Sequence, residues 1–155
     1  MIDRYARIVA IALLASLAAC GGQAGVDDAD ARAELEAMLP AQIGGYPLTK
    51  QSVGDVGVEE MVAAVGGEPA DLTVANAGSP EAGIIIVVYR VEGVSGHEIV
   101  DAFRQQGAYD DVEIAGKQVL VFAAGGGVHL YATDDVAFQL HGDGSAVEEA
   151  LTKLP

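Results

Sequence analysis

The sequence is poor in cysteine, tryptophan and basic residues. Its 155 residues include one cysteine, no tryptophan and eight lysines and arginines, against 23 aspartates and glutamates. A single cysteine excludes an intrachain disulfide. The shortage of basic residues argues against a nucleic-acid partner, because a surface with a net charge of −15 repels phosphates.

The sequence also lacks an N-terminal apolar run long enough to cross a bilayer. The uncharged run Ile8–Ala19 is shorter than the roughly 20 residues that a membrane-spanning helix needs. It follows Arg4 and Arg7 and ends in small residues, which is the pattern of a secretory signal peptide. We therefore expect this segment to direct the chain out of the cytoplasm.

The one cysteine comes directly after this run. Leu17-Ala18-Ala19-Cys20 resembles the lipobox of bacterial membrane lipoproteins. The resemblance covers only the first 22 residues, and it implies cleavage before Cys20, a diacylglyceryl group on the cysteine sulfur and no free thiol nucleophile. The alternative is an ordinary signal peptide followed by a stray cysteine.

These features divide the chain into three predicted parts. Residues 1–19 form the lipoprotein signal peptide, residues 20–29 the lipidated cysteine and a short tether, and residues 30–155 a single α+β domain. The signal carries two arginines and one aspartate, so its removal changes the net charge from −15 to −16. We attribute this charge to solvation of the surface, with a cationic partner as the alternative. The expected location is the cell membrane, on the side facing away from the cytoplasm.

Four segments have the apolar spacing of amphipathic helices. Two of them begin with a Ser-x-x-Glu capping box, formed by Ser95 with Glu98 and by Ser145 with Glu148. The other two end at a proline or a glycine, as helices commonly do. The predicted helices are residues 28–40, 56–67, 95–107 and 145–154.

The remaining regular segments have the length and composition of strands. Ile84–Val91 is apolar on both faces for most of its length, which is typical of a central strand. Short polar or glycine links separate the later strands and predict antiparallel hairpins. We expect an α+β domain with an antiparallel sheet of about five to seven strands and with helices packed on one face. The other predicted strands lie within residues 44–53, 71–77, 111–114, 117–123, 128–132 and 136–140.

No segment carries a complete catalytic or metal-binding motif. The stretch from His97 to Asp101, HEIVD, differs by one residue from the HExxH zinc motif, but its glutamate is also placed to close a helix cap. The acidic pairs, such as Asp110-Asp111, do not have EF-hand spacing and are expected to be polar turns. Gly125–Gly127 lacks the lysine and hydroxyl residue of a phosphate-binding loop. We therefore predict no catalytic residue, no metal and no cofactor.

Two late strands suggest a surface that could bind a partner. Alternation along 128–132 places His129 and Tyr131 opposite the apolar residues, and along 136–140 it does the same for Ala137 and Gln139. If helices cover the apolar face, then His129, Tyr131 and Gln139 line an open polar face. A merely solvated face is the alternative.

Together these observations favour a cell-envelope lipoprotein with a non-catalytic domain that binds a small ligand or an envelope protein. The membrane is the first expected partner, through the lipid on Cys20. The layout of the whole chain is similar to that of small bacterial lipoproteins, a resemblance that implies no activity. Two alternatives stay open: an envelope hydrolase with a site that the sequence does not reveal, and a structural protein that self-associates. A pocket that holds a histidine against a carboxylate would favour the hydrolase.

Overall fold

A computed structural model describes residues 29–51, 71–124 and 127–155; Cys20, the predicted signal peptide and the predicted helix 56–67 lie outside the described residues. Within the described part, the chain forms three helices and nine strands. The helices are α1 (Ala29–Met38), α2 (Gly96–Gln106) and α3 (Gly144–Lys153). The strands are β1 (Gln42–Ile43), β2 (Tyr46–Pro47), β3 (Thr49–Gln51), β4 (Leu72–Ser79), β5 (Ile84–Val91), β6 (Tyr109–Ile114), β7 (Lys117–Phe122), β8 (Val128–Ala132) and β9 (Ala137–Gly142).

The strands β3 to β9 form one sheet in the order β3-β4-β5-β9-β8-β7-β6. Every neighbouring pair in it is antiparallel. The predicted α+β class with an antiparallel sheet is therefore confirmed. Along the chain, α2 connects β5 to β6, which forms the opposite edge of the sheet from β3. Three hairpins then lead back from β6 to β9, which pairs with β5. The short strands β1 and β2 form a separate hairpin.

The sheet is covered by helices on both faces. On one face, which we call the α3 face, Phe138 packs with Leu35 of α1 and Leu151 of α3. On the other, the α2 face, Leu130 packs with Ile99 of α2. The prediction that the helices share one face is therefore wrong for α2. The inner strands carry apolar side chains on both of their faces. Both faces of the sheet therefore have to be covered by helices.

The start of α2 is fixed by its cap and by its first residue. The Ser95 hydroxyl accepts the Glu98 N–H at 3.2 Å, and the Glu98 carboxylate accepts the Ser95 N–H at 2.9 Å, which confirms the predicted capping box. The Gly96 N–H donates to the Asp134 carbonyl at 3.2 Å. A Cβ at Gly96 would lie 2.1 Å from the Val136 carbonyl oxygen, so this close contact of α2 with the β8–β9 turn requires glycine.

The second predicted capping box does not form. The helix α3 begins at Gly144, with Asp143 as its N-cap and no capping bond from that side chain. Ser145 lies inside the helix, and its hydroxyl donates to the Asp143 carboxylate at 3.4 Å. The apolar face predicted for this helix is confirmed, because Val147 and Leu151 are fully buried. The Ser-x-x-Glu pattern thus predicts that a helix forms here, but it places the N-cap at Ser145, C-terminal to the observed N-cap Asp143.

Candidate functional site

The pairing between β7 and β8 stops short of the strand ends. By contrast, β6 is paired with β7, and β8 with β9, along their whole length. β7 and β8 are paired only at Leu120 with Leu130 and at Val121 with His129. The regular β7–β8 ladder is therefore shorter than the ladders on either side of it.

Gln118 and Ala132 lie directly beyond this ladder. Hydrogen-bonded pairs recur at every second residue of an antiparallel ladder. The Thr133 N–H donates to the Val136 carbonyl at 2.9 Å, so the odd-numbered residues of β8 bond to β9 and the even-numbered ones point toward β7. The next hydrogen-bonded pair after Leu120 and Leu130 would join Gln118 and Ala132, and the register does not contain it. The regular ladder of β7 and β8 therefore ends beside these two residues.

A cavity of about 370 Å³ lies between α2 and the strands β7 and β8. Its volume is in the range of small-molecule binding sites. We call it the α2–β7 groove. Its lining residues are His97, Val100, Asp101, Arg104, Asp111, Gly116, Lys117, Gln118, Val119, Leu120, Leu130, Tyr131 and Ala132.

Arg104 joins the helical wall of the groove to β6. Its two Nη atoms donate to the carboxylate oxygens of Asp111 at 2.7 and 2.8 Å, and its Nε lies 3.5 Å from Asp101 Oδ1. These bonds from Arg104 hold the pKa of Asp111 below its usual range, and the bonds to Asp111 raise the pKa of Arg104. The guanidinium is therefore paired with two carboxylates, and all three side chains are partly exposed.

The groove lining combines polar and apolar side chains. Among the described residues, nothing is hydrogen-bonded to the side chains of His97 and Gln118. Val100, Leu120 and Leu130 supply buried apolar side chains to the same lining. The groove thus combines free hydrogen-bonding groups with an apolar floor, as sites for organic ligands commonly do.

On the α3 face, residues 154 and 155 bind both β7 and β8. Lys117 Nζ donates to the carbonyl oxygens of Leu154 and Pro155 at 2.8 and 2.6 Å. The Tyr131 hydroxyl donates to Pro155 O at 2.7 Å, and Lys117 Nζ lies 4.5 Å from the centre of the Tyr131 ring. Because Lys117 belongs to β7 and Tyr131 to β8, Pro155 links the two strands where their own pairing has ended.

The structure divides the predicted binding face between the two sides of the sheet. Tyr131 is paired with Phe138, and Leu130 is paired with Gln139. Directly paired residues lie on the same face, so His129 and Tyr131 are on the α3 face and Gln139 is on the α2 face. The prediction that these three residues share one open face is therefore wrong, and only Tyr131 reaches the α2–β7 groove.

The histidines and the glutamine of the late strands belong to the packed sheet. His129 is 8 % exposed, and its Nδ1–H donates to the Gly127 carbonyl at 3.0 Å, so it does not lie on an open face as predicted. Gln139 Oε1 accepts the Tyr89 hydroxyl at 2.7 Å. His141 lies in β9, where burial lowers its pKa and His129 adds to the effect. None of these groups extends freely into solvent as a ligand surface would require.

The β8–β9 turn contains the signal that fixes this register. The hydrogen bond from the Thr133 N–H to the Val136 carbonyl closes a two-residue loop at Asp134 and Asp135. Such a loop pairs each odd-numbered residue of β8 with an even-numbered residue of β9. When the apolar alternation of β8 and of β9 is taken for each strand alone, the faces predicted for the two strands do not match the observed pairing. The length of the loop between them does predict the observed register.

The near-zinc stretch HEIVD serves as a helix cap. The Glu98 carboxylate accepts the N–H and the hydroxyl of Ser95 at 2.9 and 2.8 Å, and these bonds lower its pKa. His97 and Asp101 both line the groove. No group of three histidine, cysteine, aspartate or glutamate side chains that could hold a metal ion occurs among residues 29–51, 71–124 and 127–155.

Arg104, Lys117 and Gln118 are groove residues that no sequence pattern singles out. They meet because α2 crosses the sheet beside the β6–β7 hairpin, and no motif spacing relates residues on these separate elements. Asp111, predicted both in an acidic pair and at the start of a strand, lies in β6 and binds Arg104. The near-motif at His97 and Asp101 and the predicted binding-face residue Tyr131 are the sequence signals that point to the groove.

Two further findings bear on the site. No helix in the described part of the chain is long and apolar enough to cross a membrane. No protein-family model, curated protein or solved structure matches the chain. The assignment of a site therefore depends on the geometry of the groove itself.

Proposed function

We propose that this chain is a lipid-anchored lipoprotein of the bacterial cell envelope whose domain binds a ligand in the α2–β7 groove without transforming it. The observation that carries the binding proposal is the cavity of about 370 Å³ beside the short β7–β8 ladder. Its lining includes the buried apolar side chains of Leu120 and Leu130, and the side chains of His97 and Gln118, which have no hydrogen-bond partner among the described residues. Concave sites of this size and mixed lining commonly hold small organic ligands.

The anchoring part of the proposal is supported by the lipobox at Leu17 to Cys20. Each buried CH₂ of an acyl chain contributes about 0.8 kcal/mol, so the two or more chains of a lipoprotein hold it firmly in a membrane. The predicted tether after Cys20 is short, and the described part of the domain begins with α1 at Ala29. The groove would then meet its ligand close to the membrane surface.

Binding without chemistry fits the state of the charged groups in the groove. Arg104 and Asp111 are bonded to each other, and Lys117 is bonded to backbone carbonyls. The His97 ring is free, but no carboxylate among the described residues is hydrogen-bonded to it, so nothing orients it as a general base. The His129 ring, which could also serve a hydrolase, is bonded to the Gly127 carbonyl.

Native mass spectrometry of the full chain, recovered from its own cell envelope, tests the binding part. We expect the wild type to carry extra mass, either a small molecule or a peptide. Ala132→Phe should lose that mass, because the larger side chain fills the groove. Ala41→Phe is the matched control, since Ala41 is exposed and does not line the groove. Equal ligand occupancy in the two variants would contradict the proposed site.

The mass of the N-terminal fragment of the mature protein tests the anchor. We expect it to begin at Cys20 and to carry a diacylglyceryl group. Cys20→Ala should remove that lipid mass, whereas Ser16→Ala, a neighbouring change within the signal, should leave it. An unmodified thiol at residue 20, or a mature N-terminus elsewhere, would favour an ordinary signal peptide and contradict the anchor.

A further inference from the structure

We propose that the outer edge of β6 is a second interaction surface, which takes an extended, basic segment of a partner protein as an added antiparallel strand. In the described part of the chain, β6 is the last strand of the large sheet and pairs with β7 alone. This inference goes beyond the proposed function, because it concerns the edge of the sheet and not the α2–β7 groove. It depends on the direction of the β6 backbone groups, the exposure of the strand and the charge beside it.

The hydrogen bonds of the β6–β7 hairpin show which backbone groups of β6 point outward. The Ala123 N–H donates to the Ala108 carbonyl at 2.9 Å, in register with the pairs of the ladder. Hydrogen-bonded pairs recur at every second residue of an antiparallel ladder. The even-numbered residues of β6 therefore bond to β7. The N–H and C=O groups of Asp111 and Glu113 point away from the sheet.

This edge is open to solvent along most of its length. Residues 110–113 are all exposed, and the apolar residue Val112 is 39 % exposed. An exposed strand edge is a template for the addition of another strand, because its outward N–H and C=O groups can continue the ladder. In such strand addition the main-chain hydrogen bonds supply affinity and alternate side chains supply specificity.

The charge beside the edge selects a basic strand. On the α2 face, Asp111 is bound by Arg104, whereas Glu113 has no cationic partner among the described residues. Asp110, on the α3 face, likewise has no cationic partner in this part of the chain. Opposite charges stabilise residues that face each other across a strand pair. A strand with lysine or arginine at every second position would place its cations opposite Asp111 and Glu113 and an apolar side chain opposite Val112.

The same charges disfavour a second copy of this chain as the occupant. Two β6 edges paired with each other would bring acidic side chains together, which destabilises the pair. A basic partner is instead attracted from a distance, because the chain has a net charge of −15.

The test measures the binding of four hexapeptides, capped by acetyl and amide groups, to the full chain in nonionic detergent micelles. The first is Val-Lys-Val-Lys-Val-Lys, which has as many residues as β6. The second has glutamate in place of each lysine. The third and the fourth carry backbone N-methyl groups on the three lysines or on the three valines. We expect the second and the third to bind at least about tenfold more weakly than the first, because they lose the charge match or the N–H groups that face β6. The fourth is the control for methylation and should bind more tightly than the third.

Hydrogen exchange of the β6 amides reports strand addition directly. With the first peptide bound, exchange at Asp111 and Glu113 should slow at least about tenfold, because their N–H groups gain a partner. The amides of Asp110 and Val112, which already bond to β7, should change less.

A pair of variants tests the contribution of charge at the edge. Glu113→Gln keeps the backbone and removes one edge charge, so the affinity for the first peptide should fall about two- to fivefold. Glu92→Gln is the matched control, because Glu92 is also exposed but follows β5, which three strands separate from β6. Its affinity should change by less than about 1.5-fold. Thermal midpoints check that both variants are folded, and the peptide comparison on the wild type does not depend on them.

Each outcome decides one part of the inference. Equal binding of the first and third peptides, or unchanged exchange at Asp111 and Glu113, would show a contact through charge alone and overturn strand addition. Equal or tighter binding of the glutamate peptide, or equal losses in Glu113→Gln and Glu92→Gln, would overturn the basic partner. If no peptide binds, the acidic residues serve only to keep the edge unpaired, and the inference fails. The ligand occupancy of the groove is measured separately by native mass spectrometry, so either proposal can fail while the other stands.

Discussion

The two ends of the large sheet are held together in different ways. At the β4–β5–β9 end, strands pair over their whole shared length, and side chains such as Ile86 and Phe138 are fully buried. At the β6–β7–β8 end, an acidic edge strand and a short β7–β8 ladder meet around an ion pair and the carbonyl of Pro155. We call the first the well-paired end and the second the loosely joined end, because its β7–β8 ladder is short, although Leu120 and Leu130 are buried there too. Regions with fewer ladder hydrogen bonds open more readily, so we expect the second end to be the less stable half.

The largest difference between the two ends should come from removing an aromatic ring. Phe138→Ala removes a fully buried ring that stacks on Tyr131 at 5.9 Å, and we expect the free energy of unfolding to fall by about 3–5 kcal/mol. Phe122→Ala is the matched change at the loosely joined end. Its half-buried ring contacts Tyr109 at 5.3 Å, and we expect a loss of about 1–2 kcal/mol. Urea unfolding followed by circular dichroism measures both, and equal losses would remove the distinction.

The next effect concerns the position of α2 above the loosely joined end. Gly96→Ala would place a Cβ 2.1 Å from the Val136 carbonyl oxygen, so we expect a loss of about 2–3 kcal/mol as the helix shifts away from the β8–β9 turn. Gly144→Ala is the control, because Gly144 likewise begins a helix but has no atom within 4 Å of the added Cβ. There we expect a change of less than about 1 kcal/mol, in the stabilising direction. Similar losses in both would show that the contact does not constrain α2.

A pH-dependent effect should come from His141, at the well-paired end. Burial lowers its pKa, and His129 adds to the effect. The unfolded chain therefore binds this proton more readily than the folded one, so stability is full above the ordinary pKa of 6.5 and falls as the pH drops below it. Urea midpoints between pH 8 and pH 5 should show this loss in the wild type and in His97→Gln, and a weaker one in His141→Gln. The same slope in all three proteins would contradict it.

The smallest effect is expected from the exposed ion pair of the groove. Asp111→Asn removes the partner of Arg104 and should lower the thermal midpoint slightly, by an amount that shrinks with added salt. Since Arg104 lowers the pKa of Asp111, this contribution is present at neutral pH and is lost as the pH falls through that lowered pKa. Asp110→Asn is the control, because Asp110 lies on the opposite face of β6. An equal response of both variants would show that only overall charge matters.

Local patterns predicted the elements, and contacts between distant residues decided the site. The capping box of Ser95 and Glu98 and the apolar face of α3 follow from residues within one or two turns of a helix, so the sequence suffices for them. The helix α2 was placed on the wrong face because its amphipathic spacing says which side is apolar, not which face of the sheet it covers. The strand β5, apolar on both faces, already indicated that both faces needed a cover.

The groove has no equivalent local signal. It exists because the ladder of β7 and β8 stops at Leu120 and Leu130, and because Pro155 bridges the strands from the other face. Both facts depend on residues that are far apart in the chain. The register of Tyr131 against Phe138 is an intermediate case, since counting the two residues of the β8–β9 loop predicts it.

The position of β9 in the sheet also sets the order in which the molecule can fold. β9 lies between β5 and β8 in the sheet, although it is the last of the described strands in the chain. Until β9 pairs, the hairpin of β4 and β5 has no link through the sheet to β6, β7 and β8. Pairing between residues so far apart in the chain slows folding, because the intervening loop has to close before the contacts form. The two halves of the sheet are therefore expected to join late in folding, when β9 docks between them.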